Sequence, residues 1–132
     1  MSEIRIVRPH EQQSERSMDG LVRVTGVSVA LAGAEAIHLS VSTMPAGSKL
    51  NAHVHLNCES ALYVLKGTGY FMVGQALADE VRFGPGDFIY VPSGAPHEVA
   101  NDGTGPVEFV VARNAAEEIA EEYTVSANAT PL

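Results

Sequence analysis

The residues with the clearest capacity for chemistry are two histidines separated by a single residue, His53 and His55, in the segment Ala52-His-Val-His-Leu56. Successive side chains of a β-strand point to opposite faces, so both imidazoles would project from the same face. Neutral imidazole is a common ligand of transition metals. The pair supplies half of a metal site, but two surface histidines on an exposed strand would explain it equally well.

Two further residues are candidates to complete the site. Glu59 lies four residues after His55 and keeps the same parity if the strand continues. A carboxylate beside imidazoles suits iron, manganese, nickel or zinc. His97 follows the turn Pro92-Ser-Gly-Ala-Pro96, which would carry the chain back across a barrel. We therefore predict that His53, His55, Glu59 and His97 bind one divalent transition metal ion.

The elements that must position these residues are short strands. Between about residue 21 and residue 112, segments rich in Val, Ile, Leu, Phe and Tyr alternate with Gly and Pro clusters roughly every ten residues, as in a β-sandwich or barrel. A segment around residues 37–41 alternates apolar and polar residues, which predicts a strand with one buried face. Denser apolar runs at 62–65, 70–73, 88–91 and 107–111 predict strands covered on both faces.

The ends of the chain are predicted to differ from this barrel. Residues 1–20 form an N-terminal arm in which 4–7 is a candidate edge strand and 9–20 a loop. Residues 113–132 are assigned to a C-terminal helix and tail, because 115–122 contains good helix formers around Ile119 and Tyr123. The acidic residues in this segment are interpreted as a solvated helix face.

Composition excludes several function classes. The 132 residues include 16 acidic and 8 basic side chains, and the net charge of −8 disfavours nucleic acid and anionic membranes as partners. The N-terminus lacks the apolar core of a secretory signal. A single cysteine, Cys58, fits a reducing compartment. We expect a one-domain cytoplasmic protein.

The first half of the candidate site carries a recognisable spacing. Gly47 is followed by five residues, then by His53 and His55, then by three residues and Glu59, and later by Gly67. This pattern resembles the first sequence motif of the cupin superfamily, which reads glycine, five residues, HxH, three or four residues, glutamate, six residues, glycine. One position departs from it, because seven residues rather than six separate Glu59 from Gly67.

The second cupin motif is matched at every fixed position. It reads glycine, five residues, PxG, two residues, histidine, three residues, asparagine, and this chain has Gly86, Pro92, Gly94, His97 and Asn101 at those places. The resemblance covers residues 47–101. It identifies His97 as the third histidine ligand of the family. Two interpretations of the glutamate remain open. A β-bulge near Glu59 would make its spacing after His55 compatible with its spacing before Gly67. Otherwise Ser60 faces inward and Glu59 does not bind the metal directly.

The resemblance implies an all-β fold, the double-stranded β-helix or jelly-roll barrel of the cupins, here followed by a short C-terminal helix. It also implies a metal at the barrel centre and a homodimer. The leading functional hypothesis is a metal-dependent enzyme, of isomerase, lyase, cyclase or dioxygenase type, acting on a small organic or sugar-like substrate rich in oxygen. Two alternatives remain open: a module that binds metal and a small molecule without turnover, and a metal-free scaffold acting through its dimer surface. The sequence does not identify the metal or the reaction.

Overall fold

The computed structural model describes residues 3–125, and they form two antiparallel β-sheets packed face to face. The first sheet has six strands in the order β1-β2-β3-β10-β5-β8, and the second has five in the order β11-β4-β9-β6-β7. The strands are β1 Gln13–Arg16, β2 Val22–Val27, β3 His38–Met44, β4 Lys49–His55, β5 Ser60–Lys66, β6 Gly69–Val73, β7 Asp79–Phe83, β8 Phe88–Val91, β9 His97–Ala100, β10 Val107–Arg113 and β11 Ala120–Glu122. The prediction of an all-β fold is confirmed.

The described helices are short. A 3-10 turn spans Pro9–Glu11, and a single α-helical turn, α1, spans Val29–Ala32 between β2 and β3. Ser28 caps α1 by accepting a hydrogen bond from the backbone N–H of Leu31, and Gly33 ends it in the left-handed conformation. None of the described helices has the length and hydrophobicity that crossing a membrane requires.

The hydrophobic core lies between the sheets. Its buried members are the inward side chains of strands from both sheets: Met44, Val64, Phe71, Phe83, Val99, Val107 and Phe109. Three of the phenylalanines pack ring against ring, with centroid separations of 5.3 and 5.6 Å. These contacts are worth about 0.5 to 1.5 kcal/mol each beyond the burial of their area. They hold the sheets together around the candidate site.

Two motif residues stabilise the turns that surround this core. Gly67 has a φ of +87°, and a Cβ at this position would lie 2.4 Å from the carbonyl oxygen of Pro106, so the turn requires glycine. Asn101 is 1% exposed. Its amide nitrogen donates to the carbonyls of Met44 and Gly105, and its oxygen accepts from the N–H of Gly103. Asn101 therefore links the end of β9 to the loops around it.

The predicted C-terminal helix is wrong in the described part of the chain. Residues 114–117 form bends, and Ala120–Glu122 form β11, which pairs with β4. Asn57 secures this arrangement, because its side chain donates to the carbonyl of Glu117 and accepts from the N–H of Ile119. The segment forms a strand despite its helix propensity, because the strand supplies hydrogen-bond partners to backbone groups at the edge of β4. Residues 126–132 of the predicted tail lie outside the described residues.

Three smaller expectations also fail. The alternation at 37–42 does give a strand with one buried face, but the polar residues His38, Ser40 and Ser42 are buried, whereas Ile37 and Leu39 are exposed. Residues 4–7 are not a strand, and the first strand is instead β1, which falls within the predicted loop and pairs with β2. The run 88–91 is a strand, as predicted, but it is not covered on both faces. Phe88 and Tyr90 are 82% and 63% exposed on the outer surface of the six-stranded sheet. β8 is an edge strand, and the dense apolar run reflects an exposed apolar surface rather than burial.

Candidate metal centre

A β-bulge in β4 points its two histidines into the space between the sheets. Leu50 pairs with Val99 of β9 and His53 pairs with His97, so β4 contains one residue more than β9 in this interval. An extra residue reverses the alternation of side chains along a strand. Leu50, His53 and His55 consequently line the same internal cavity, although Leu50 and His53 are three residues apart.

The structure brings three of the four predicted residues together. The ring centroids of His53 and His97 are 4.3 Å apart, those of His53 and His55 are 4.9 Å apart, and those of His55 and His97 are 5.2 Å apart. One ligand nitrogen from each of the three lies within 4.8 Å of the others. Small rotations of the rings would let a single ion contact all three nitrogens.

The hydrogen bonds of the rings fit this interpretation. Nδ1 of His53 is 2.7 Å from the carbonyl oxygen of Asn51, and Nδ1 of His97 is 2.9 Å from that of Ala95. A carbonyl can only accept, so each Nδ1 carries the proton and each Nε2 keeps a free electron pair. Histidines that bind metals commonly have this arrangement. The residues present therefore fit a metal ion bound through Nε2.

Glu118 contacts the imidazole of His55, and the sequence did not predict this role for it. Its Oε1 lies 2.8 Å from Nδ1 of His55, in a contact too bent for a full hydrogen bond and therefore chiefly electrostatic. Its Oε2 accepts a hydrogen bond from Nη1 of Arg113 at 2.6 Å. The contact with His55, together with the charge of Arg113, lowers the pKa of Glu118 to about 2 despite its partial burial. Glu118 is thus ionised and favours the Nδ1–H form of His55.

Glu59 does not lie with the histidines. Its side chain is exposed, and its Oε2 accepts a hydrogen bond from the hydroxyl of Tyr90 at 3.0 Å on the outer surface. The parity argument assumed a continuous strand, but β4 ends at His55 and β5 begins at Ser60 in the other sheet. Ser60 is buried and faces the cavity, as the count back from Gly67 allowed.

His97 is the most buried of the three histidines, at 6% exposure. Burial lowers its pKa to about 4, and the neighbouring His53 and His55 act in the same direction. The imidazole is therefore neutral at physiological pH in the metal-free protein. A neutral ring with a free Nε2 is the form that binds a metal.

The three histidines open onto a cavity of about 330 Å³ between the sheets. Its wall combines apolar side chains, including Leu62, Phe71 and Val111, with buried serines and two arginines. A cavity of this size holds a small organic molecule. A metal held by three protein ligands would keep at least one position facing this space.

Two other residues with potentially reactive or metal-binding side chains, His38 and Cys58, lie outside this site. His38 is buried beside Arg113, and burial lowers its pKa, but it is not among the residues lining this cavity. Cys58 is buried, and burial raises the pKa of its thiol, which disfavours the reactive thiolate. The described structure gives neither residue a place in the metal site.

Comparisons with known proteins agree with this architecture. A polyketide cyclase, RemF, from Streptomyces resistomycificus superposes with a TM-score of 0.77 at 18% identity, over 96% of this chain and 89% of the other. A predicted oxalate decarboxylase from Thermotoga maritima gives 0.71 at 23% identity, over 84% and 99%. A putative sugar phosphate isomerase from Acidithiobacillus ferrooxidans gives 0.66 at 22% identity, over 89% and 80%. At these identities the likeness concerns the fold.

No curated protein sequence matches the chain. A family model described as a cupin domain matches residues 40–113, which span most of the barrel and contain all three clustered histidines. Together with the two facing antiparallel sheets, this match shows that the chain belongs to the cupin family.

Proposed function

We propose that the protein is a metal-dependent enzyme that acts on a small, oxygen-rich organic molecule in the cavity between its sheets. The observation that carries this proposal is the convergence of His53, His55 and His97, each with its Nδ1 facing an oxygen acceptor, at the wall of a cavity of about 330 Å³. The cyclase, decarboxylase and isomerase described above share the fold, which makes catalysis a reasonable hypothesis for this chain.

The chain's own residues would bind and orient both metal and substrate. The three histidines would hold a zinc, iron, manganese or nickel ion through Nε2, with Glu118 and two backbone carbonyls fixing the rings. The ion would supply Lewis acidity toward a carbonyl or hydroxyl oxygen of the substrate, or redox chemistry if it is iron. Leu62 and Phe71 would exclude water from one side of the substrate.

A second function, binding without turnover, is favoured by one observation. Proton transfer needs a side chain that can accept a proton near neutral pH. The half-buried carboxylate of the cavity, Glu118, is paired with Arg113 and has its pKa lowered to about 2. It is therefore a weak base. An enzyme of this construction would need the metal or the substrate to provide the acid and base groups, whereas a binding module would not.

Metal content tests the proposal directly. We expect the purified protein to hold about one transition metal ion per chain by elemental analysis, and we expect His53→Ala and His97→Ala to lose it. His10→Ala is the matched control, because His10 is an exposed histidine outside the cavity. Glu59→Gln should retain the metal if Glu59 lies outside the ligand set. Full metal occupancy in His53→Ala or His97→Ala would refute the assignment.

Activity separates the two candidate functions. The metal-loaded protein and His53→Ala would be incubated with small hydroxy acids, keto acids and sugar phosphates, and products would be detected by mass spectrometry. Turnover that requires both the metal and His53 supports the enzyme. Saturable binding without any product supports the binding module.

We also propose a homodimer formed through the outer surface of the six-stranded sheet. Phe88 and Tyr90 of β8 are largely exposed there, as is Leu65 of the adjacent β5 at 44%. Leu39 of β3 is 41% exposed and lines the same surface depression as Tyr90. A contiguous apolar surface of this kind favours association. Sedimentation analysis should give twice the monomer mass, and Phe88→Ser should lower it, whereas Val81→Ser on the other sheet should not. A cytoplasmic location remains a prediction from the sequence.

A further inference from the structure

The cavity contains a second arginine that differs from Arg113 in having no partner. Arg23 lies on β2, is half-buried and lines the same cavity as the three histidines. Arg113 forms an ion pair with Glu118, but within residues 3–125 the side chain of Arg23 makes no hydrogen bond or ion pair. Glu15 lies opposite Arg23 in the β1–β2 pairing, and Glu118 is close enough for the charge of Arg23 to help lower its pKa, but neither carboxylate forms an ion pair with Arg23. The guanidinium therefore keeps donors that can bind an anion in the cavity.

The charged residues around the cavity differ in how directly they are paired. The lining contains five charged residues besides the histidines: Asp19, Arg23, Arg113, Glu118 and Glu122. Asp19 and Glu122 are exposed to solvent, so their charges are well screened. Arg113 forms an ion pair with Glu118, whereas Arg23 has the exposed Glu15 opposite it on β1 without a direct ion pair. Three neutral imidazoles would add no negative charge to a bound divalent ion, because Glu59 lies outside the cluster.

Two hydroxyl groups lie on the strand next to Arg23. Arg23 is opposite Ser42 in the β2–β3 pairing, and Ser40 is two residues away on the same face. Both serines line the cavity and are only 3% and 4% exposed. Neither hydroxyl makes a hydrogen bond to any described residue. Both hydroxyl oxygens are accessible from the cavity rather than sealed in the core, so each is free to donate a hydrogen bond to a ligand there.

We propose that Arg23, Ser40 and Ser42 form a carboxylate-binding subsite, and that the natural ligand is a small organic acid whose remaining oxygen atoms face His53 and His97. This inference rests on the proposed function, because it assigns the substrate class of the same cavity. The carboxylate would balance the charge of Arg23 and would accept hydrogen bonds from the guanidinium and from the serine hydroxyls. Neutral sugars and hydrocarbons would leave the half-buried guanidinium without an anionic partner in the cavity.

The test compares matched acids and amides at pH 7. For the zinc-loaded protein the probes are 2-hydroxybenzoate and 2-hydroxybenzamide, and for the metal-free protein they are benzoate and benzamide, with Kd measured by NMR titration. The wild-type protein should bind each acid about tenfold or more tightly than its amide, as expected for a charge-assisted hydrogen-bonded pair. In Arg23→Gln this preference should fall below about threefold. Arg16→Gln is the control, because it removes the same charge from an exposed position on β1.

Two further variants keep the test decisive if Arg23→Gln folds poorly. Arg23→Lys keeps the charge but loses the fork of donors, and Ser42→Ala removes one hydroxyl. Each should reduce the preference for the acid by about threefold with the thermal midpoint unchanged. An undiminished preference in the folded Arg23 variants, or equal binding of acid and amide by wild type, would overturn the proposal. If none of zinc, iron, manganese and nickel binds, the proposed function fails, and the benzoate titration of the metal-free protein still decides the subsite.

Discussion

Substitution of Glu118 by glutamine tests whether the metal centre depends on an acidic side chain outside the cupin motifs. Glu118 lies 2.8 Å from Nδ1 of His55 and 2.6 Å from Nη1 of Arg113, and the side chain of Arg113 is 10% exposed. Glutamine preserves the shape and one acceptor oxygen but removes the charge. The Nδ1–H form of His55 would lose its electrostatic support, and the guanidinium would lose its counter-ion.

Two effects of different size are expected. Loss of a partner that orients a ligating histidine typically lowers metal affinity by about 10- to 100-fold, or about 1.4 to 2.7 kcal/mol. Breaking the mostly buried pair with Arg113 should lower the free energy of unfolding of the metal-free protein by about 2 to 3 kcal/mol. The metal affinity therefore reports the lost contact with His55. The stability of the metal-free protein reports mainly the loss of the counter-ion of Arg113.

Competition with a chromophoric chelator gives the zinc affinity, and urea denaturation of the metal-free protein gives the stability. Glu121→Gln is the matched control, because Glu121 is an exposed carboxylate on β11 outside the cavity. It should change neither quantity by more than about 0.5 kcal/mol. If Glu118→Gln binds zinc as tightly as Glu121→Gln does, the inferred role of Glu118 in orienting His55 is refuted.

Three further outcomes can be measured on the metal-free protein. The pKa of His97 is about 4 in the folded chain against an ordinary value of 6.5, so the unfolded chain binds the proton first. The free energy of unfolding should therefore fall by up to about 3 kcal/mol as pH drops from 6.5 to 4, and urea titrations of His97→Asn should show a smaller fall. Gly67→Ala should cost about 3 kcal/mol or more in thermal unfolding, because its Cβ would meet the carbonyl of Pro106, whereas Gly105→Ala, with open space around it, should cost little. Asn101→Ala should cost about 3 kcal/mol by calorimetry, since three backbone groups lose their partner; a loss below 1 kcal/mol would contradict this.

Most of the barrel could be predicted from local patterns, because its strands are bounded by glycine and proline turns. Four of the apolar segments identified by composition fall within β5, β6, β8 and β10. The ends of the chain could not be predicted in this way. Residues 115–122 favour a helix by propensity, yet they contribute a strand, because β4 presents an unpaired edge that only the folded barrel creates.

The candidate site could likewise be predicted only in part from local sequence patterns. The spacing of His53 and His55 indicates that they share a face, but the face they share depends on the bulge opposite His97, and this extra residue is visible only once the two strands are paired. For Glu59, the pattern counted residues as if the strand continued past His55. The chain instead crosses from one sheet to the other, and this crossing places Ser60 inside and Glu59 outside.

Glu118 shows why a missing ligand need not leave a metal site without a carboxylate. It comes from the segment between the bends at 114–117 and β11, more than 50 residues from the histidine pair, and nothing in its local sequence distinguishes it from Glu117 or Glu121. It reaches His55 because β11 pairs with β4 and brings the preceding residues over the histidines. A carboxylate in this place orients the ring without reducing the charge of a bound ion by direct ligation. The metal would then have more open positions and a higher charge than with a glutamate ligand, and both consequences favour an anionic, oxygen-rich substrate.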